Sequence, residues 1–299
     1  MTLATAPAAE ATATVGAPRR RTGRRAPWTV PQVAGLVMLA SVVGFCLLFP
    51  LLPQFDPYTQ DLTAKLLPPG SPEHLLGTDA LGRDTASRLA LAGRVTLAIV
   101  VGIIAVNAVI GVVVGMTAGY VGGRVDNVLM GVADIQLALP VMLVLIALAA
   151  VLGPSVWLMV VVLAATYWVG YARVARSVAM GLAGRDFVLA PKILGARAPW
   201  ILRKHVLPGV LSQVLIVATT DLGAVILLTA SFDYLGLGVQ APVPSWGSMV
   251  GDGQAYLRQA PWAVLVPGAC MLLAVAGTNL LSQRFTHEGT PSRRRKARS

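Results

Sequence analysis

The sequence predicts an all-α integral membrane protein with six transmembrane helices. Three observations predict it. Only 12% of the 299 residues are charged while 56% are hydrophobic, half the charge of an ordinary soluble domain, which carries about 25%. Six apolar segments each approach or exceed the ~20 residues that cross a bilayer as a helix. The basic residues lie at the flanks of those segments, where Lys and Arg set topology.

The elements follow in order. Residues 1–30 read as a disordered basic tail, Ala/Thr/Pro-rich and then carrying Arg19–Arg25. The following apolar run lacks a cleavage site, so it reads as an anchor and not as a removed leader. Val33–Leu52 is a charge-free first span. A longer outer segment runs from Pro53 to Gly93 and completes a region 31–94. The core, 95–283, holds five further spans: Val95–Val121; Asn127–Leu152, with Asp134 and Pro140; Pro154–Ala172; Gly209–Ala230, with Asp221; and Trp262–Gln283. In hydrocarbon each backbone amide must bond within its own segment, so each span is read as a helix. A second outer segment, Ser231–Gly247, mixes aromatics, glycines and prolines. Residues 284–299 read as a second disordered basic tail. No repeat of fixed period is visible.

Orientation comes from charge. With the amino terminus inside, nineteen of the 24 Lys and Arg residues fall on the inner side, which places both termini in the cytoplasm. The net charge of +11 is therefore a topology and anionic-lipid signal, not a nucleic-acid footprint. Cys46 and Cys270 lie in apolar runs and read as small core residues. His74, His205 and His287 are far apart. No Gly-rich loop ends in Gly-Lys-Ser/Thr, no zinc spacing occurs and no nucleophilic triad can be assembled. The chain is expected not to be an enzyme and to bind no cofactor or metal, so work must come from a partner.

The inner loop 178–208 stands out, with a polar, basic stretch from Arg185 to Pro208 between apolar spans. A loop of this length without disorder-like composition suggests function. Asp186 is expected to cap a short helix. That helix begins either near Phe187, which leaves Pro191 inside it at the cost of a backbone bond, or near Ala190, where Pro is accommodated. Gly195 is expected to end it in a left-handed conformation. Arg197–His205 would form a second helix leading into the fifth span.

Several separated motifs carry a resemblance: His74-Leu-Leu-Gly-Thr-Asp-Ala-Leu-Gly-Arg-Asp84, Gly119-Tyr-Val-Gly-Gly123, Gly195 followed by Val206-Leu-Pro208, Tyr234-Leu-Gly-Leu-Gly-Val239 and Pro244-Ser-Trp-Gly-Ser-Met249. In this order they resemble the permease subunits of bacterial ABC importers for dipeptides, oligopeptides and nickel, and within that family the C-type member of the permease pair. The resemblance spans about Gly77 to Ser282. It implies the type I importer permease fold with a cytoplasmic coupling helix, in a bacterial inner membrane. It implies a second permease, cytoplasmic ATPases that hold ATP and Mg, and an extracytoplasmic solute-binding protein. The family's inner motif has Glu-Ala-Ala, then Gly, then Ile/Val-Leu-Pro. Ala190, Gly195, Val206, Leu207 and Pro208 match, whereas Leu189 replaces Glu and Pro191 the second Ala. ATPase coupling is thereby assigned to Asp186, Leu189, Ala190, Pro191, Lys192, Gly195, Ala196, Arg203 and Pro208. The solute is expected to be a di- or oligopeptide; nickel, heme or another small solute is the alternative, and an autonomous transporter or channel is the rival class.

Other residues carry two readings. Asp221 and Asn107 are candidates for the translocation pathway, Asp221 meeting a cationic group; otherwise Asp221 bonds Asn107, Thr219, Thr220 or a residue of the second permease. Asp134 is expected near a helix start, as a structural or capping carboxylate. Gly77, Asp79, Gly82, Arg83 and Asp84, with Trp246, form the outer-loop candidates. They either meet the binding protein and frame the outer gate, or make a tight loop fixed by Asp side chains on backbone amides.

Overall fold

A computed structural model describes residues 28–287, with side chains through 284. The two basic tails therefore lie almost wholly outside the described residues. Among the described residues the molecule is helical, with two isolated bridges and no strand. Among the described residues five helices are long and apolar enough to span a membrane, and the number is six when one bent pair is counted as a single broken span.

α1 (Val30–Leu48) is the first span. α2 (Thr85–Val121) begins ten residues before the predicted span, because Asp84 caps it by accepting from the Ser87 amide at 2.7 Å. At 37 residues it is about 55 Å long, well beyond the ~30 Å hydrocarbon core. Its first turns are therefore part of the outer structure.

The third span is not one helix. α3 (Gly123–Leu137) and α4 (Val141–Leu152) meet at a bend of 74°. Pro140, read from the sequence as tolerated within the span, is instead the N-cap of α4. It lacks an amide proton and disfavours helical geometry at Leu139, so the helix stops before it. α5 (Val156–Ala183) is longer than predicted and carries its last turns past the apolar run.

α6 (Asp186–Ile193) is the short inner helix. Beyond it, α7 (Ala198–Ile201), one π turn (Leu202–Val206) and α8 (Leu207–Tyr234) form a single helical rod. Pro208 does not break this rod, because it falls in the first turn of α8. α9 (Trp246–Gln254) is a short outer helix and α10 (Trp262–His287) the last span.

Two close helix contacts organise the bundle. Gly111, Gly115 and Gly119 recur every fourth residue on α2. A Cβ on Gly115 would stand 2.1 Å from the Ala172 carbonyl oxygen, and one on Gly119 2.4 Å from that of Arg176. α2 and α5 thus run parallel with their backbones in contact, the small-residue packing that dispersion favours in lipid. On the other side α1 meets α10 where Gly35 faces Gly277 and Leu280. The main core, including Ile103, Leu163, Ile226, Phe232 and Trp246, lies between these pairs.

Candidate functional site

One end of the bundle, the one that the charge pattern predicts to be cytoplasmic, is built around α6. Arg185, in extended conformation, is its N-cap and Asp186 its first residue, with no side-chain cap bond. The predicted capping role of Asp186 is therefore corrected: an N1 carboxylate faces the helix dipole but is past the position from which it caps. Pro191 lies inside the helix, so the alternative start near Ala190 is excluded, and the Phe187 carbonyl loses its amide partner. Gly195 adopts φ +80°. Its amide bonds Lys192 O at 3.1 Å and the Ala196 amide bonds Pro191 O at 2.9 Å, the paired bonds of a Schellman C-cap.

One residue of α6, Val188, is buried, and it packs with Ile201, Val206 and Val210. The rest of the helix is presented outward: Leu189, Ala190 and Lys192 are exposed, and Ile193 and Leu194 are 83% and 86% exposed. Arg203 and Pro208 are exposed as well, and Ala196 is half-buried. His205, from the π turn, stands between Phe187 at 6.3 Å and Trp200 at 5.3 Å, measured between ring centroids. Lys204 lies over the Trp200 ring at 4.8 Å. This bracket ties α6 to the base of α8. The sequence reading missed it, although aromatic residues flanking a basic run in a short loop were its signal.

Two ion pairs fix the neighbouring inner ends. Arg176 of α5 grips Asp126 of α3 in a two-pronged contact at 2.5 and 2.6 Å. Arg173 binds Asp134 at 2.7 Å. Asp134 lies near the end of α3, not its start, so the expected capping role is corrected.

At the outer end, Asp79 organises the loop. Its Oδ1 accepts from the Leu81 and Arg83 amides, and its Oδ2 from Arg83 Nε at 2.7 Å. Buried Arg88 reaches the same oxygen at 3.3 Å. Asp84 caps α2 and also meets His74 Nδ1 at 3.1 Å. Gly77 and Gly82 have φ +77° and +73°, and a Cβ on Gly82 would strike the Asp61 backbone. The tight-loop reading of this segment thus has a full set of bonds behind it. The loop walls a cavity of about 750 Å³, which Asp233, Tyr234, Asp252 and Tyr256 complete. Trp246 does not face outward with this loop. It is fully buried, with its indole Nε1 donating to Leu89 O at 3.3 Å, so among the outer-loop candidates it is one that packs into the core, at the start of α9.

In mid-bundle, Asp221 is half-buried on α8. None of the in-chain partners expected for it is engaged. Thr219 and Thr220 donate to Ile216 O and Val217 O of their own helix, and Asn107 donates to Ile103 O. Instead Tyr171 of α5 shares a packed cluster with Val214, Val217 and Ala218 of α8, and Tyr167 shares one with Ala218 and Leu222, which sets both tyrosines against the turns of α8 beside Asp221. Two tyrosines one turn apart on an apolar span were the overlooked signal.

The sequence pattern of the family described as "Binding-protein-dependent transport system inner membrane component" matches residues 111–287. The chain belongs to that family. Similar proteins include the nickel transport system permease protein NikC of Escherichia coli K12, 37% identical over 227 residues, covering 76% of this chain and 82% of NikC. The dipeptide transport system permease protein DppC of Alkalihalophilus pseudofirmus is 35% identical over 251 residues, covering 83% of this permease and 82% of DppC. The oligopeptide transport system permease protein OppC of Bacillus subtilis is 32% identical over 249 residues, covering 83% and 81%. This permease is thus a membrane component of a binding-protein-dependent transport system, and its relatives are transport permeases rather than ATPases. The rival reading as an autonomous transporter or channel is set aside by that membership.

Proposed function

We propose that this permease forms half of the translocation pathway of an ATP-driven importer for di- or oligopeptides. A second permease completes the pathway, one or two cytoplasmic ATPases binding ATP and Mg supply the work, and an extracytoplasmic binding protein delivers the solute. Both termini and α6 lie in the cytoplasm.

One observation carries the coupling role. α6 and its C-cap expose Ile193 and Leu194 almost fully, Arg185, Lys192, Arg197 and Arg203 of the same loop are exposed, and Val188 and the His205 bracket hold the helix to the base of α8. An apolar knob with a basic rim is costly in water and suits a groove on a partner. Its rigid tether suits the transmission of partner motion into the span that carries Asp221.

Deletion of Leu189–Arg197 is expected to leave membrane insertion intact and to abolish solute-stimulated ATP hydrolysis by the complete complex. Stimulation that survives the deletion refutes the coupling role. Vesicles containing the purified chain alone should take up no peptide.

A second reading has support of its own. NikC, named for nickel transport, is as similar as the peptide permeases are, so nickel or another small solute is the competing cargo. Uptake of labelled dipeptide against labelled nickel by the same complex separates the two.

A further inference from the structure

Three spans bring polar groups to one depth. Asn107 lies on α2, Tyr167 and Tyr171 lie one turn apart on α5, and Asp221 lies at the midpoint of α8. Gly111 abuts Tyr171 and Trp168, so Asn107, one turn earlier on the parallel helix, is level with Tyr167. Tyr171 packs in one cluster with Val217 and Ala218, and Tyr167 in one with Ala218 and Leu222, the residues of α8 that flank Asp221 in sequence and along the helix.

Two of these groups are enclosed but unsatisfied. Asn107 is 1% exposed and its Oδ1 accepts no bond; Tyr171 is 2% exposed and its hydroxyl has no partner at hydrogen-bonding geometry. Leaving such atoms unpaired is costly, and an unpaired buried group calls for a ligand. Asp221 itself makes no salt bridge among the described residues. The cations one and two turns below on α5 are committed elsewhere, Arg173 to Asp134 and Arg176 to Asp126. A half-covered carboxylate at this depth cannot face lipid; it needs water or a counter-charge.

We propose that Asp221, Tyr167, Tyr171 and Asn107 form a mid-membrane subsite for the protonated amino group of the passing solute. The inference rests on the reading of the cargo as a peptide. A primary ammonium has three donors. The Asp221 carboxylate, the Asn107 Oδ1 and a tyrosine oxygen are the matching acceptors, and the tyrosine faces favour a cation. Asn107 and Tyr171 are almost fully covered in this conformation, so the subsite is shut here and opens when α5 and α8 part.

The test uses the complete complex in vesicles and measures uptake per ATP hydrolysed, for a free-amine dipeptide and for its N-acetyl analogue. Asp221→Asn is expected to lower free-amine uptake per ATP at least fivefold and leave the analogue unchanged. Asp221→Glu should recover most of the loss, and Tyr171→Phe should give an intermediate effect. Unchanged free-amine uptake per ATP in both Asp221→Asn and Tyr171→Phe overturns the subsite. Loss of the second permease on purifying Asp221→Asn also overturns it, because Asp221 is then a structural ion pair with that partner. A wild-type complex that carries nickel but neither dipeptide defeats the peptide reading itself, and the subsite's ligand with it.

Discussion

At the residue scale, single groups decide both packing and polar order. Gly115 lets the α2 and α5 backbones touch, and any side chain there meets the Ala172 carbonyl at 2.1 Å. Gly115→Leu is expected to push the two helices apart, at a cost of about 1–3 kcal/mol or more, the usual range for overpacking. A thermal unfolding scan of the detergent-solubilised protein should show a clear fall in Tm; an unchanged Tm shows that the helices are not in contact there. Asp79 is the polar counterpart. One carboxylate accepts two backbone amides and meets two arginines, the bonding expected of a loop fixed by an Asp side chain. Trp246 falls in the segment Ser231–Gly247 read as an outer loop, but its ring is fully buried and its indole proton bonds α2.

At the element scale, the two prolines nearest the functional regions act in opposite ways. Pro140 ends a helix and yields a 74° bend. Pro191 stays within α6, which tolerates the lost bond because Val188 packs on α8 and Gly195 closes the last turn. Restoring the missing amide with Pro191→Ala should slow hydrogen exchange in α6, since Pro in a helix interior costs about 3 kcal/mol relative to Ala. Gly195→Ala should speed it, because a left-handed non-glycine residue costs about 1–2 kcal/mol. Equal exchange in all three proteins would mean that α6 order does not depend on these two positions. The π turn at Leu202–Val206 places His205 between Phe187 and Trp200. Such single-turn bulges are frequent at functional sites.

At the scale of the whole molecule, the spans sort charge to one side. Among the described residues, nine of the fourteen Lys and Arg lie at the end that carries α6, which predicts that this end faces the cytoplasm. A membrane-impermeant thiol reagent applied to intact cells is then expected to label Arg258→Cys and to spare Lys192→Cys; the reverse pattern would invert the topology. Cys46 and Cys270 are buried and should give little background. The number of spans, the helical class, the lone mid-span carboxylate and the left-handed Gly195 were all legible in the sequence. Hydrocarbon length and unpaid backbone bonds act locally, and each of those features is set by residues within one segment. The broken third span was not legible, because proline tolerance depends on what the neighbouring helices cover. Nor were Tyr171 beside Asp221, Arg176 on Asp126 or the buried indole of Trp246, which join residues 50 or more positions apart. Composition and hydropathy thus determined a helical membrane protein with a basic loop ahead of its fifth span, and the separated motifs carried the resemblance to importer permeases. Only the packing of α2, α5 and α8 decided which polar groups meet, since a side chain's partner is chosen by the helix that lies against it.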